Sequence, residues 1–151
     1  MFESTGTLVY DPYARIKAAP WWLILKTDKG IIDYYQYQIK QLYDVQFEKT
    51  IWGSHISVVR GQCPPNIRVW NKYKNEKIPF TYTNNIYRSS WFFCVDAYST
   101  RLEEIRAELG LSNTPKFGFH ITIGRLQKAY LKEVEDKRKI FDGQSKSIII
   151  T

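Results

Sequence analysis

Histidine is scarce in this chain of 151 residues, with two copies, and cysteine is equally scarce. Cys63 and Cys94 lie far apart and outside any Cys-x-x-Cys frame, which excludes a disulfide framework and a thiolate cluster and reads as two thiols in a reducing compartment. With only two imidazoles, a zinc site would need carboxylates or thiols at no recognisable spacing, so neither metal nor cofactor is expected. No apolar run approaches the roughly 20 residues of a membrane span, and Met1-Phe2-Glu3-Ser4-Thr5-Gly6 lacks the basic and apolar regions of a signal peptide. The expectation is a protein of the cytoplasm with no membrane partner. Linkers and low-complexity tracts are also lacking, which predicts one domain over residues 1–151.

What the chain does have is a repeated frame around both histidines: Gly53-Ser54-His55-Ile56-Ser57-Val58-Val59-Arg60 and Gly118-Phe119-His120-Ile121-Thr122-Ile123-Gly124-Arg125. In a strand, His and the hydroxyl two residues on share a face, while the intervening Ile turns to the core. Two such strands side by side would gather two imidazoles and two hydroxyls. One imidazole can take a proton from a nucleophile while the other gives one to a leaving oxygen. The hydroxyls of Ser57 and Thr122 can hold the non-bridging oxygens of a phosphodiester. A single His-x-Thr describes many ordinary strand residues. Two copies with matching flanks, using every histidine, point to phosphodiester chemistry, which would fail if the strands lay at opposite edges of a sheet.

The paired segments, about half the chain apart, resemble the signature of the 2H phosphoesterase superfamily. Trp52 to Gly61 and Pro115 to Arg125 are most similar to the phage anti-CBASS protein 1 family, and the likeness extends to Trp22-Leu23-Ile24-Leu25-Lys26, Asp33-Tyr34-Tyr35 and Ile105 to Leu111. The resemblance implies an α+β fold of two pseudo-symmetric lobes, with mainly antiparallel sheets lining a central cleft and helices outside. It implies metal-independent cleavage of cyclic di- and trinucleotide alarm signals, such as 3′,3′-cGAMP, in the cytoplasm of an infected bacterium. Carried over by position, the catalytic set is His55, Ser57, His120 and Thr122. Two other functions stay open: a 2H enzyme acting on RNA ends or 2′,3′-cyclic phosphates, and a non-catalytic module binding nucleotides or RNA.

Lys and Arg number 22 against 15 Asp and Glu, a net +7 that favours an anionic partner without naming it. Aromatic residues make up 16% of the chain, more than its core needs, so some rings should lie on the surface or line a groove. Tyr10, Trp22, Trp52 and Trp70 are candidates to stack a nucleobase, with Tyr10 and Trp70 the preferred pair because polar or loop residues surround them. Arg60 and Arg125 are candidate phosphate clamps. Their odd spacing from His should nevertheless point them off its face if the strands stay regular.

Periodicity predicts strands at Thr7 to Tyr10, Trp21 to Thr27, Ile51 to Val59, Trp91 to Ala97, Phe117 to Arg125 and Ser147 to Thr151. Ile78 to Thr83 reads as an edge strand because of Pro79, and Asn84-Asn85 as a turn. Asp28 caps a predicted helix over Lys29 to Tyr43 with Ile32, Tyr35, Ile39 and Leu42 inward. Thr100 and Glu103 form an expected capping box for a second helix that stops at Gly110, and Ala129 to Lys139 reads as a charged helix before a turn at Asp142-Gly143. Strand, helix, His strand thus occurs twice.

Overall fold

The computed structural model describes residues 1–12, 20–49, 52–89, 92–127 and 147–149; the expected helix over Ala129 to Lys139 and the turn at Asp142-Gly143 lie outside them. In chain order the elements are β1 (Phe2–Tyr10), β2 (Leu23–Lys26), α1 (Lys29–Tyr43), β3 (His55–Val59), a 3₁₀ turn (Ile67–Val69), β4 (Lys77–Ser89), β5 (Phe92–Tyr98), α2 (Thr100–Glu108), β6 (His120–Arg125) and β7 (Ser147–Ile149). Six antiparallel strands form a barrel in the order β1-β2-β3-β6-β5-β4, closed by pairing of β4 with β1, and β7 runs beside β4. The two His strands are neighbours. Outside them stand β2 and β5, each followed by its helix, so the repeated strand–helix–His strand order becomes an internal two-fold arrangement about the β3–β6 seam.

One apolar cluster fills the molecule, joining Leu8, Leu23, Leu25, Ile56, Val58, Ile121 and Ile123 of the strands to Ile32, Tyr35 and Ile39 of α1 and Leu102 and Ile105 of α2. Asp28 caps α1 as expected, its Oδ1 accepting the Gly30 N–H at 2.8 Å. Tyr43 takes the last place of the α1 stripe and Leu42 is exposed. The two lie on either side of the stripe's axis, and periodicity does not choose between them. The cap of α2 is Ser99 rather than Thr100: its hydroxyl accepts the Leu102 N–H and donates to the Pro79 carbonyl. Gly110, at φ +85°, closes α2 with N–H bonds from Gly110 to Ala107 and from Leu111 to Arg106.

Two sequence expectations fail around β4. Pro79 sits in an internal strand, opposite Thr5 of β1. Its carbonyl meets Ser99 just past the end of β5, and in an antiparallel strand a residue's N and O point the same way. The missing donor therefore falls where the ladder has ended. Asn84 and Asn85 make no turn; they occupy a register shift between Tyr82 and Ile86 within β4, and the Tyr35 hydroxyl donates to the Thr83 carbonyl and to Asn84 Oδ1.

Each His strand carries a bulge at the same place. Leu23 pairs with Val59 but Ile24 with Ser57, so Val58 is extra; Phe93 pairs with Gly124 but Cys94 with Thr122, so Ile123 is extra. A bulged residue falls out of the ladder and its backbone groups need other partners. The Val58 carbonyl accepts from Arg106 Nη1 of α2 at 2.7 Å, and the Ile123 carbonyl from Gln36 Nε2 of α1 at 2.9 Å. Arg106 is fully buried and gives its remaining bonds to Gln62 and to the Ser112 carbonyl and hydroxyl. Burial lowers its pKa from the ordinary arginine value. Arg106→Met keeps an apolar stem but leaves the Val58 and Ser112 carbonyls without donors, and should lower stability by about 1–3 kcal/mol. Urea unfolding should show a lower midpoint at unchanged slope; an unmoved midpoint contradicts this account.

Candidate active site

The seam between β3 and β6 is pinned at Ile56 opposite Ile121, both fully buried. Counting along the antiparallel strands from that pair sets His55 opposite Thr122 and Ser57 opposite His120. All four lie on the partly exposed face, away from the core. The imidazoles are diagonal neighbours, a placement that sets residues roughly 7–8 Å apart, with their Cβ atoms somewhat closer. The sequence-predicted catalytic set is thus brought together on two adjacent strands.

The glycine two residues before each His shapes the ring that follows. Gly53 and Gly118 adopt φ +68° and +71°, and His55 Nδ1 and His120 Nδ1 lie 3.1 and 3.3 Å from the carbonyls of Gly53 and Gly118. A carbonyl only accepts, so each bond puts the proton on Nδ1 and leaves the Nε2 lone pair of the neutral ring available. The repeated glycine was visible in the sequence; its positive φ and its carbonyl's role were not.

Both hydroxyls are held by neighbours, one from just before β2 and one from β5. Trp22 Nε1 donates to Ser57 Oγ at 3.2 Å, and the Cys94 thiol donates to Thr122 Oγ1 at 4.0 Å. Trp22, proposed from sequence as a stacking residue, is a buried hydroxyl partner. Burial pushes the Cys94 pKa up to about 11, which keeps the thiol protonated as a donor. Asp96 of β5 stands opposite His120. Burial also lowers the His55 pKa from 6.5; the Gly53 carbonyl opposes that shift, and the positive charges of Arg60 and His120 reinforce it.

Arg60 and Arg125 do not point off the His face. The extra residue in each bulge reverses the alternation between His and Arg, so both arginines come round to the side of the imidazoles. The expectation failed because it assumed regular strands. Arg60 lines a hollow of about 330 Å³ with Ser57, His120, Lys116 and Phe117, and its guanidinium lies 4.8 Å over the Trp22 ring. Arg125 lines a second hollow of about 230 Å³ with His55, Thr122, Trp52 and Phe92, 6.0 Å over the Phe92 ring and 3.6 Å from Glu48.

Tyr10 and Trp70, the preferred stacking pair, line neither hollow. Tyr10 ends β1 on the core side, 7% exposed, packs edge-on against Trp70 at 5.1 Å and accepts the Tyr73 N–H, while Trp70 donates to Asp11. Flanking polar residues suggested exposure, but β1 alternation turns Tyr10 inward. A larger hollow of about 630 Å³ lies between β1, β4 and α2, lined by residues including Glu3, Phe80, Arg101 and Glu104. It holds no imidazole, and we place the site at the histidines on chemistry rather than size.

Among the described residues, no three His, Cys, Asp or Glu side chains gather as metal ligands. No described helix is long and apolar enough to cross a membrane. Searches against family models, curated proteins and solved structures returned no match for this chain.

Imidazole ¹⁵N NMR should find both neutral rings carrying the proton on Nδ1; protonation at Nε2 would refute the glycine–histidine bonds. A Cβ at Gly53 or Gly118 meets no atom within 4 Å, so Gly→Ala at either position should cost only the left-handed backbone penalty of about 1–2 kcal/mol.

Proposed function

We propose that this chain is a metal-independent phosphodiesterase of the 2H kind, acting on the 3′–5′ bonds of cyclic di- and trinucleotides such as 3′,3′-cGAMP. The observation that carries this reading is the diagonal placement of His55 and His120 across one strand seam, each with Nδ1 tied to a glycine carbonyl and a hydroxyl opposite. Support for the biological setting, in which a phage blunts a nucleotide-signalled host defence, comes from the sequence resemblance alone. The basic charge suits an anionic substrate.

His55 takes the base role, since burial and neighbouring positive charge favour its neutral form. Its Nε2 removes the proton of a ribose 2′-OH, and that oxygen attacks the adjacent phosphorus. His120 protonates the departing 5′-oxygen, giving a 2′,3′-cyclic phosphate that water opens with the roles reversed. Ser57 and Thr122 hold the non-bridging oxygens as charge builds on them. Arg60 and Arg125, both beside the imidazoles, add compensating positive charge.

Incubation with 3′,3′-cGAMP in EDTA should open the ring. His55→Ala and His120→Ala should each cut turnover by roughly 100-fold or more without unfolding the chain, and Ser57→Ala and Thr122→Ala should cut it less. Wild-type turnover by both His variants ends the proposal, cleavage of linear RNA ends alone replaces it with the RNA-end reading, and binding without turnover replaces it with a binding module. A 2′-deoxy linkage should resist, lacking the internal nucleophile.

The pH profile tests the base assignment. Lowering the His55 pKa keeps the ring neutral to lower pH, so kcat/KM should rise with pH along a limb whose midpoint lies below 6.5. His55→Ala should abolish that limb. A limb centred above 6.5 contradicts the role given to His55.

A further inference from the structure

We infer that the two hollows beside the histidines are a matched pair of nucleobase subsites, so that the smallest ligand filling the site is two nucleosides joined through the phosphodiester between them. This rests on the phosphodiesterase reading for the placement of the phosphate and deepens it by assigning the groups on either side.

The two hollows are images of one another through the β3–β6 seam, and each is assembled from both halves of the chain. One takes Trp52 and His55 from the first half and Thr122, Arg125 and Phe92 from the second. The other takes Phe117 and His120 from the second half and Ser57 and Arg60 from the first, with Arg60 lying on Trp22. Trp52 and Phe117 hold the same place, three residues before their His and next to the glycine that turns the chain. A guanidinium five residues past the opposite His lines each hollow: Arg60 lies over Trp22, the buried residue just before β2, and Arg125 over Phe92, the first residue of β5. Phe117 is 77% exposed, Phe92 41% and Trp52 36%. Large exposed rings placed twice, symmetrically, beside a catalytic pair fit flat partners on both sides.

Size agrees with one base per hollow. Volumes of about 230 and 330 Å³ lie on either side of the smallest pockets that enclose a drug-sized ligand, roughly 300 Å³. Neither hollow would take a dinucleotide whole. With a base in each, the bridging phosphate lies between His55 and His120, where Ser57 and Thr122 also emerge. Aromatic faces stack any base, so the arrangement selects for two bases and a bridge rather than for a base sequence.

Equilibrium binding to the full chain carrying His120→Ala, which separates binding from turnover, tests this with 3′,3′-cGAMP, a linear dinucleoside monophosphate and GMP. The dinucleotides should bind one per chain and GMP two per chain at saturation. Adding Trp52→Ala or Phe117→Ala should each weaken both dinucleotides about ten-fold or more and remove one GMP. Trp52→Phe should restore binding, and Phe2→Ala, an exposed ring on β1, should change nothing. A single GMP site, or dinucleotide affinity untouched by either aromatic truncation, overturns the paired subsites even if the wild-type enzyme cleaves cGAMP. Two-site binding in a wild-type chain that fails to cleave overturns the enzymatic reading and leaves the subsites standing.

Discussion

Three residues past each histidine, a backbone carbonyl has left the sheet ladder, and the face that carries the site depends on a helix side chain meeting it. Val58 is met by Arg106 and Ile123 by Gln36. Without a donor, a buried carbonyl would favour the regular ladder, the bulge would straighten, and the residue five past the histidine would swing to the opposite face. The helices cross over: α1 follows β2 yet braces β6, and α2 follows β5 yet braces β3. Each half of the chain therefore braces the His strand of the other.

The seam itself is narrow. The pair Ile56 and Ile121 fixes the register between β3 and β6, and their burial keeps the alternation from slipping, because a one-residue shift would drive the isoleucines out and the imidazoles into hydrocarbon. Close approach matters beside it. A Cβ on Gly124 would come within 2.8 Å of both Gln36 and Phe47, so that glycine is what lets α1 reach the bulge it braces.

The grouping of two histidines and two hydroxyls was more legible in the sequence than the fold around it. Two His-x-Ser/Thr units carry their own strand signal, since Ile on one face and polar groups on the other can hardly be read another way. Adjacency of the two strands lies beyond what periodicity can show, because pairing is non-local. Arg60 and Arg125 were misplaced for the same reason: a bulge is a relation between two strands, and nothing in one strand's pattern announces it. The polar opening of β1 from Phe2 to Gly6, which pairs with β4, hid behind its lack of apolar alternation. Gly53 and Gly118 were legible as letters, whereas their left-handed backbone and the imidazole bonds it permits are facts of three dimensions.

A symmetric pair of imidazoles cannot by itself divide acid from base, and the proposed reaction needs that division. The surroundings supply it by breaking the two-fold. Arg125 is met by Glu48 at 3.6 Å. The hollow of Arg60 gathers Lys116 and the buried Arg106 with no carboxylate among its lining residues. His55 is shifted toward its neutral form first by burial and then by the positive charge of Arg60 and His120, and its Nδ1 bond to Gly53 has already decided which nitrogen accepts. A two-fold symmetry of backbone thus carries an asymmetry of surroundings, and in the proposed reaction it is burial first, and neighbouring charge second, that makes His55 the base.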